Sequence, residues 1–357
     1  MPPSISVIIP AHNGADGLRL CLAALKKCDA LEYGALEYGA LEYIVVDDYS
    51  SEPVAVVARE FGAKVIPTDR QRGPAYARNL GASAAQGEIL LFLDADVCVR
   101  PETLARIAAQ FAKDETLDAL FGSYDGNTSA PGFISQYKDL QHSFVHQQGQ
   151  PEASTFWSGC GAVRKSVFLA LGGFDASFTR PAIEDIELGW RMVHAGRRIR
   201  LDRDLQVKHL KQWTFWGLLK NDLLCRGIPW AELILQSRFL PNDLNLQLSQ
   251  RLSVLLVALS LALLPAAPVA GSASLLGSVL LLASVLLLNF KFYRFLAQRR
   301  GGWFAAAAVP VHYLYYLNCG LSFACGAVHC AWKARGVGRA TQPDPTSPLQ
   351  INADPIA

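Results

Sequence analysis

The sequence predicts an α/β domain with a Rossmann-like, mostly parallel sheet, followed by C-terminal transmembrane helices. Strand-like and helix-like segments alternate over residues 1–125, acidic residues follow two of the apolar strand-like runs, and residues 252–290 contain no Asp, Glu, Lys or Arg. Alternation of this kind is typical of βαβ units. With 357 residues, the chain is long enough for two or three structural units.

The alternation predicts five strands separated by four helices. The strand candidates are short apolar runs at 6–10, 43–47, 64–67, 89–93 and 117–121. The helix candidates lie at 17–27, 53–61, 73–85 and 101–112. Pro101 suits a helix start, where its missing N–H donor is not needed. Residues 126–240 are more mixed, and we assign residues 1–240 to a single domain.

The last third of the chain predicts a membrane region at 252–332. We expect spans at about 252–270, 273–290 and 304–330, because nineteen helical residues cover roughly 28 Å, close to one hydrocarbon core. Buried helices of a soluble core are the alternative for each run. The basic residues after the third run favour the inside, whereas a single third span would place them outside, so a re-entrant segment or two short helices also fit. Residues 333–357 are predicted to be a disordered, Pro-rich tail.

Charge and composition predict where the domain lies. The connector at 291–300 carries four basic residues, which by the positive-inside bias places the N-terminal domain in the cytoplasm, on a multi-pass protein of the inner or plasma membrane. No basic region precedes an apolar core at the N-terminus, so we expect no signal peptide. A net charge of only +2 gives no support to nucleic-acid binding. Eight cysteines without a Cys-x-x-Cys pair predict reduced, unligated thiols.

Two further segments are distinctive. The sequence ALEYG occurs twice and then as ALEY over 30–43, a period that fits neither helix nor strand. We interpret it as a slippage duplication that lengthens a surface loop, with a functional lid as the alternative. At 208–240, Trp213, Trp216, Leu219 and Leu223 recur at helical spacing near lysines, which predicts an amphipathic segment in the membrane interface, or else a core-facing helix.

The run GEILLFLDADV at 87–97 carries the strongest chemical signal. An apolar strand ends there at Asp94 and Asp96. Ligands of open α/β sheets bind at the carboxyl ends of strands, and Mg²⁺ or Mn²⁺ prefers oxygen ligands. The two acids therefore predict a site where a divalent cation and a diphosphate meet. A solvated turn or a helix cap is the alternative for such a pair.

Three neighbouring blocks complete a family pattern: SVIIPAHNG at 6–14, IVVDDYSSE at 44–52 and RGPAYARNLGASAAQGEI at 72–89. With GEILLFLDADV, they resemble the family 2 glycosyltransferases of the GT-A fold, over roughly residues 4–215 and in the family's order. Removing ten residues of the ALEYG repeat restores the family's usual spacing, which favours the slippage interpretation.

The resemblance implies a donor site for a UDP- or GDP-sugar. The positions expected to face the base and ribose are Pro10, His12, Asp47 and Asp48. Arg72 and Arg78 would lie near the diphosphate, since an arginine fork suits phosphate oxygens. Asp94 would bind the ribose or a metal-bound water, and the metal ligands would be Asp96 and His209. For Asp48 the alternative is that it caps the helix near Pro53. For His209 the alternative is a structural role.

The second half resembles the family's acceptor side. The blocks are WSGCGAVRKSVFLALGGFD at 157–175 and EDIELGWRMVHAG at 184–196. By the resemblance Asp185 is the catalytic base of an inverting reaction, with Glu184, Trp157 and Gly159 beside the acceptor. A hydroxyl is a poor nucleophile, and a carboxylate can take its proton. The alternative is that both acids cap a helix start, where its dipole favours them.

We therefore expect a membrane-bound inverting glycosyltransferase that uses Mg²⁺ or Mn²⁺, a nucleotide sugar and a hydroxyl of a lipid or lipid-linked acceptor. A polyprenyl-phosphate sugar synthase is one alternative. A processive polysaccharide synthase is another, although RGIPW at 226–230 has Pro229 where the synthase motif Gln-x-x-Arg-Trp has arginine. A non-catalytic membrane scaffold and a transporter fit less well. The sequence predicts no oligomeric state.

Overall fold

The computed structural model describes residues 3–29 and 42–336. Its first half alternates strands and helices in the order β1 (Ile5–Ala11), α1 (Ala15–Asp29), β2 (Glu42–Asp47), α2 (Val54–Glu60), β3 (Lys64–Pro67), α3 (Pro74–Ala84), β4 (Ile89–Leu93), β5 (Val97–Cys98), α4 (Thr103–Lys113) and β6 (Ala119–Tyr124). The five predicted strands and four predicted helices all form, within a few residues of their predicted ends. The added element is the short β5, directly after the acidic pair.

The second half of the domain contains α5 (Phe133–Gln148), β7 (Cys160–Arg164), α6 (Lys165–Ala170), α7 (Glu184–His194) and β8 (Ile199–His209). The eight strands form one sheet in the order β3-β2-β1-β4-β7-β6-β8-β5. The prediction of a mostly parallel sheet holds for β3-β2-β1-β4 and for β6 with β8. It is wrong for the other pairings, because β7 enters antiparallel between β4 and β6, and β5 pairs antiparallel with β8.

The main core lies on both faces of this sheet. The strand residues of β1, β2 and β4 are almost entirely buried, since helices cover both faces of a parallel sheet. Gly81 of α3 allows close packing, because a Cβ there would lie 2.5 Å from the Ile8 side chain. This packing fixes the carboxyl ends of the strands, where the polar residues follow.

The C-terminal region is entirely helical up to residue 336 apart from short breaks. It comprises α8 (Phe215–Lys220), a π-helical turn (Asn221–Gly227), α9 (Ile228–Ser237), α10 (Leu248–Leu263), α11 (Ala267–Ala270), α12 (Ser272–Leu288), α13 (Phe290–Arg300) and α14 (Gly302–Gly336), with 3₁₀ turns at Leu244–Leu246 and Leu264–Ala266. The predicted basic connector is therefore the helix α13. The run at 303–332 is one continuous helix, with Pro310 inside it.

Among the described residues, no helix taken singly is both long and apolar enough to cross a bilayer. Helices α12 and α13 meet the length and composition criteria only together, and a 64° bend separates them. The predicted tail begins too early, since residues 333–336 form the end of α14. The rest of that tail, at 337–357, and the ALEYG repeat at 30–41 lie outside the described residues, so their predicted roles stay predictions.

Helix α5 joins the catalytic domain to the C-terminal helices. Its Tyr137 and Leu140 share a buried cluster with Phe292 and Leu296 of α13. Beside this cluster, Lys138 forms an ion pair at 2.9 Å with Asp222 of the π-helical turn. The α5 helix is therefore fixed on one side by the C-terminal region while its other side faces the sheet.

Candidate active site

The predicted site residues meet at one edge of the sheet because three parallel strands end there. Strands β1 and β2 run in register up to Ala11 opposite Asp47, and β4 lies on the other side of β1. The residues that follow these strands include His12, Asp48 and Asp94. The same edge receives Asp96, just before β5, and His209, the last residue of β8.

Asp48 secures the loop between β3 and α3. Its Oδ1 accepts hydrogen bonds from the Arg72 amide at 2.8 Å and the Thr68 hydroxyl at 3.1 Å, and its Oδ2 accepts from the Gly73 amide at 2.8 Å. The side chain is buried, and α2 has no side-chain cap, so the helix-cap alternative for Asp48 is wrong. Asp48 shapes the rim of the candidate site through this loop.

The other predicted donor contacts lie on the same rim. His12 donates from Nδ1 to the Asp48 carbonyl at 2.8 Å, and Asp47 accepts from the Ser50 amide at 3.0 Å. Pro10 is half-buried within β1. The Arg72 guanidinium is bonded to the exposed Asp69 at 3.0 and 3.1 Å and lies over the ring of Tyr76. Arg72 is thus at the expected edge, with its side chain turned to a neighbouring acid.

Arg78 of α3 is buried between two carboxylates. Its Nη2 donates to Asp94 Oδ1 at 2.7 Å and its Nη1 to Glu184 Oε1 at 2.9 Å. Burial opposes the charge of the guanidinium, but the two acids outweigh this effect and raise the pKa of Arg78. This geometry differs from the expected contact with a diphosphate, because both Nη atoms of the guanidinium already donate to carboxylates. Arg78 therefore positions Asp94 and Glu184.

Asp185 lies at the start of α7 with its carboxylate held from two sides. Oδ2 accepts from the Ser158 amide at 3.1 Å and the Ser158 hydroxyl at 3.3 Å, while Oδ1 accepts from the Ile186 amide at 2.8 Å. Burial and the neighbouring Glu184 raise the pKa of Asp185, against the charges of Arg226 and Arg78. A carboxylate with a raised pKa is a stronger base than an exposed one.

Trp157 and Gly159 flank Ser158, the partner of Asp185, in the segment before β7. The Trp157 ring is buried, and it packs edge-on against Tyr124 with ring centroids 4.8 Å apart. A Cβ on Gly159 would lie 2.5 Å from the Trp157 ring, and the Gly159 carbonyl accepts from the Asp94 amide at 3.3 Å. Trp157 therefore forms a buried wall of the site, whereas the sequence analysis expects it beside the acceptor.

Asp96 and His209 form the candidate metal centre. The pairing of β5 with β8 sets them side by side, and His209 Nε2 lies 3.5 Å from Asp96 Oδ2. Burial raises the pKa of Asp96, but the imidazole of His209 and then Lys211 outweigh it, so the net pKa of Asp96 is lowered. The His209 ring stacks on Tyr124 at 4.4 Å with 9° between the planes.

This donor set suits a divalent cation that also binds the substrate. Within the described residues, no three His, Cys, Asp or Glu side chains are grouped closely enough to hold a metal ion by themselves. One carboxylate and one imidazole leave coordination positions for water and phosphate oxygens, which Mg²⁺ and Mn²⁺ usually retain. Asp96 is about two-fifths exposed (39%), so its carboxylate is accessible to such a cation.

The sequence analysis missed two residues that contact the site, Tyr124 and Ser158, and a polar stripe on α5 whose histidines pack against Tyr124 and Trp157. Tyr124 and Ser158 carry no signal of their own, since their roles depend on contacts between distant segments. Asp139, by contrast, recurs with His142 and His146 at helical spacing on α5, a polar stripe visible in the sequence. Burial lowers the pKa of His146 to about 4, so this stripe is neutral there at ordinary pH.

Comparisons with known proteins agree with this geometry. Residues 6–172 match the family model described as Glycosyl transferase family 2. The pre-mycofactocin glycosyltransferase of Mycobacterium tuberculosis is 29% identical over 240 residues, which cover 60% of this chain and 48% of that protein. The 4,4'-diaponeurosporenoate glycosyltransferase of Staphylococcus haemolyticus is 34% identical over 146 residues, 39% of this chain and 34% of that protein.

A solved structure shares the fold over most of the chain. The mannosyltransferase PcManGT from Pyrobaculum calidifontis, in complex with GDP-Man and Mn²⁺, superposes with a TM-score of 0.50 at 17% identity and covers 93% of this chain and 88% of that one. This likeness supports an α/β, GT-A-like fold. The chain spans about half the length of the first curated relatives that it matches.

Proposed function

We propose that this chain, whose residues 6–172 match the family 2 glycosyltransferase model, transfers a sugar from a UDP- or GDP-sugar to a hydroxyl of a lipid or lipid-linked acceptor, with inversion and at a membrane. One observation carries the proposal. The half-buried Asp185 carboxylate, with a raised pKa, lies beside a buried Arg78 that ties Glu184 to Asp94. A base for the acceptor is thereby joined to the donor side of the site.

A divalent cation fits beside these groups, with Asp96 and His209 as its protein ligands. When bound, the cation would offset charge on the departing diphosphate. The similar structure supports this choice, since PcManGT was solved in complex with GDP-Man and Mn²⁺. We propose the same class of donor and metal for this chain.

This chain's own residues supply the proton transfer and the positioning. Asp185 takes the proton of the acceptor hydroxyl through the carboxylate that Ser158 orients. Arg78 keeps Asp94 directed to the donor side, and Asp48 holds the loop at residues 68–73 that borders it. Attack of the activated oxygen on the anomeric carbon, opposite the leaving diphosphate, gives inversion.

The exposed surface of the C-terminal helices supports membrane anchoring. Large apolar side chains are exposed along α10 and α12, and Trp216, Trp303 and Trp332 are 71–92% exposed. Contiguous apolar surface of this kind marks a partner or a bilayer. The basic helix α13 packs on α5, and the Arg300 guanidinium donates to Gln136 at 2.9 Å. We propose on the positive-inside bias that the catalytic domain lies in the cytoplasm.

A phosphate-bearing acceptor, as in a polyprenyl-phosphate sugar synthase, is the second candidate. One observation favours it: Arg226 of the π-helical turn is half-buried, lowers the pKa of Asp185 by its charge, and has no hydrogen bond or ion pair within the part of the chain that the structure describes. An unpaired cation near the base would suit an anionic acceptor, which needs no base.

The experiment that tests the proposal supplies purified protein with Mn²⁺, a panel of UDP- and GDP-sugars and a membrane lipid extract, and analyses the lipids by mass spectrometry. We expect one lipid class to gain the mass of a single sugar. A gain of many sugars would support a processive synthase, and no gain with any donor would contradict the proposal. Asp185→Asn distinguishes a hydroxyl acceptor from a phosphate acceptor, since we expect the variant to lose transfer to a hydroxyl and to keep transfer to a phosphate.

A further inference from the structure

The C-terminal region of the chain has charges of one sign only. Residues 244–343 contain eight Lys or Arg residues and no Asp or Glu. Four of these eight cations lie on α13, a helix of eleven residues. The charge of α13 must therefore be balanced by acids from elsewhere in the chain or by a partner.

The first two cations of α13 lie on its outward face. Phe292 and Leu296 are buried in the cluster shared with α5, and Lys291 and Arg294 are exposed on the other side of the helix. Phe290 lies on the same outward side and is 60% exposed. A basic surface with an aromatic ring beside it thus faces away from α5.

The cations of this surface have no acidic partner where the structure describes the chain. Lys291, Arg294 and Arg299 form no ion pair there, and the guanidinium of Arg299 lies over the ring of Phe295. The helix dipole favours a cation in the last turn, such as Arg299, but opposes one in the first turn, where Lys291 lies. The stability of the helix itself therefore does not explain the outward pair.

Exposed apolar side chains flank the basic helix at both ends. Leu287, in the last turn of α12, is 76% exposed, and Trp303, in the first turn of α14, is 92% exposed. A nucleic acid would pair with the cations but would leave these apolar side chains in water. The surface of a bilayer accommodates both, because anionic headgroups attract Lys and Arg and because Trp is enriched at the interface.

We propose that the basic surface of α13, formed by Lys291, Arg294 and Arg299, binds the headgroups of anionic phospholipids. The inference rests on the membrane location in the proposed function, and it adds a preference for one class of lipid. Since the buried side of α13 packs on α5, which also faces the sheet, the same contact would hold the catalytic domain in a fixed orientation on the membrane.

The test uses the fluorescence of Trp303, which follows α13 directly. Full-length protein is reconstituted in vesicles of equal amounts of phosphatidylcholine and phosphatidylglycerol, with bromine on the acyl chains of one lipid or of the other. Bromine quenches tryptophan on contact, so the emission lost by wild type and not by Trp303→Phe reports which lipid collects beside α13.

We expect bromine on phosphatidylglycerol to quench Trp303 at least about twofold more than bromine on phosphatidylcholine, since each basic residue near the surface strengthens the attraction of anionic lipid by roughly fivefold. High salt should remove the difference, because it screens exposed charges. Wild type that is quenched equally by both lipids overturns the inference, whether or not any variant folds.

A triple variant and a matched control locate the preference. Quenching by the two lipids should become equal when glutamine replaces the three cations of α13: Lys291→Gln, Arg294→Gln and Arg299→Gln. The control removes the same charge from three exposed cations of the catalytic domain and should keep the preference: Arg59→Gln, Lys64→Gln and Lys113→Gln. A preference that survives in the α13 variant, or that the control loses equally, overturns the inference. If neither lipid quenches Trp303, the membrane location itself fails, so the two failures are distinguishable.

Discussion

Arg78 and Asp94 form an ion pair in which the guanidinium Nη2 lies 2.7 Å from the carboxylate Oδ1. The same guanidinium holds Glu184, 106 residues further along the chain. One buried arginine thus connects α3, the acidic turn after β4 and the start of α7. This connection fixes the position of Asp94 relative to Glu184 and its neighbour Asp185.

Arg78→Met is therefore expected to destabilise the protein by about 3–5 kcal/mol, since it leaves the buried Glu184 and the half-buried Asp94 without their cation. Arg78→Lys keeps the charge but loses the fork, and we expect an intermediate loss. Denaturant unfolding of the detergent-solubilised protein measures both effects. Arg106→Met, which breaks a more exposed ion pair with Asp202, is the matched comparison; an equal loss in that variant would contradict the special role of Arg78.

Gly73→Ala tests the loop that Asp48 holds. Gly73 has φ of +91°, and a Cβ would lie 2.4 Å from the Thr179 carbonyl oxygen. Gly62 also has positive φ (+72°), but nothing lies within 4 Å of its Cβ position. Gly62→Ala should therefore cost only the backbone strain of about 1–3 kcal/mol. We expect Gly73→Ala to cost more and to raise the KM for the nucleotide sugar, as steady-state kinetics would show.

The carboxyl ends of the strands were predictable because local hydrophobic runs define the strands and parallel pairing aligns their ends. Asp94 and Asp96 follow the fully buried β4, and both lie at the predicted edge. The antiparallel β7 was not predicted, since its sequence CGAVR lacks a strong strand pattern. Its place depends on close packing, because a Cβ on Gly161 would lie 2.3 Å from the Trp157 carbonyl.

Contacts between distant elements were the other limit of the sequence analysis. An arginine in an acid-rich site is readily interpreted as a phosphate ligand, and only the tertiary hydrogen bonds of Arg78 show that it holds Asp94 and Glu184. Trp157 likewise resembles an acceptor platform in the sequence, whereas its contacts with Tyr124 and His146 bury it. Both roles depend on tertiary contacts, so no local sequence pattern predicts them.

Membrane contact predicts quenching of tryptophan fluorescence by brominated lipids. Trp216, Trp303 and Trp332 are exposed on the C-terminal helices, whereas Trp157 is buried in the catalytic domain. In vesicles of brominated lipid we expect a large loss of emission, most of it removed when the three exposed tryptophans are replaced by phenylalanine. Trp157→Phe should leave the quenchable fraction unchanged. Emission that is insensitive to the brominated lipid would contradict membrane contact by these helices.

Asp185→Asn should lower transfer to a hydroxyl acceptor by about 10²–10⁴-fold, the usual contribution of a general base. The change is isosteric, although the single oxygen of Asn can accept from only one of the Ser158 and Ile186 amides. Neither of these contacts lies at the strand ends where the donor is proposed to bind, so donor affinity should stay within about threefold of wild type. Nucleotide-sugar binding by calorimetry and single-turnover kinetics separate the two quantities. Near-normal turnover would contradict the assignment of Asp185 as the base.

The pH dependence of transfer tests how Ser158 controls that base. Burial and Glu184 raise the pKa of Asp185, and the base acts only when ionised, so activity should fall with decreasing pH at a higher pH than an ordinary aspartate would give. The Ser158 hydroxyl donates to Oδ2 and favours the ionised form. Ser158→Ala should therefore raise the pKa further and move the acidic limb of the kcat profile to higher pH, while kcat on the plateau changes little. An acidic limb that stays in place, or moves to lower pH, would show that another group titrates.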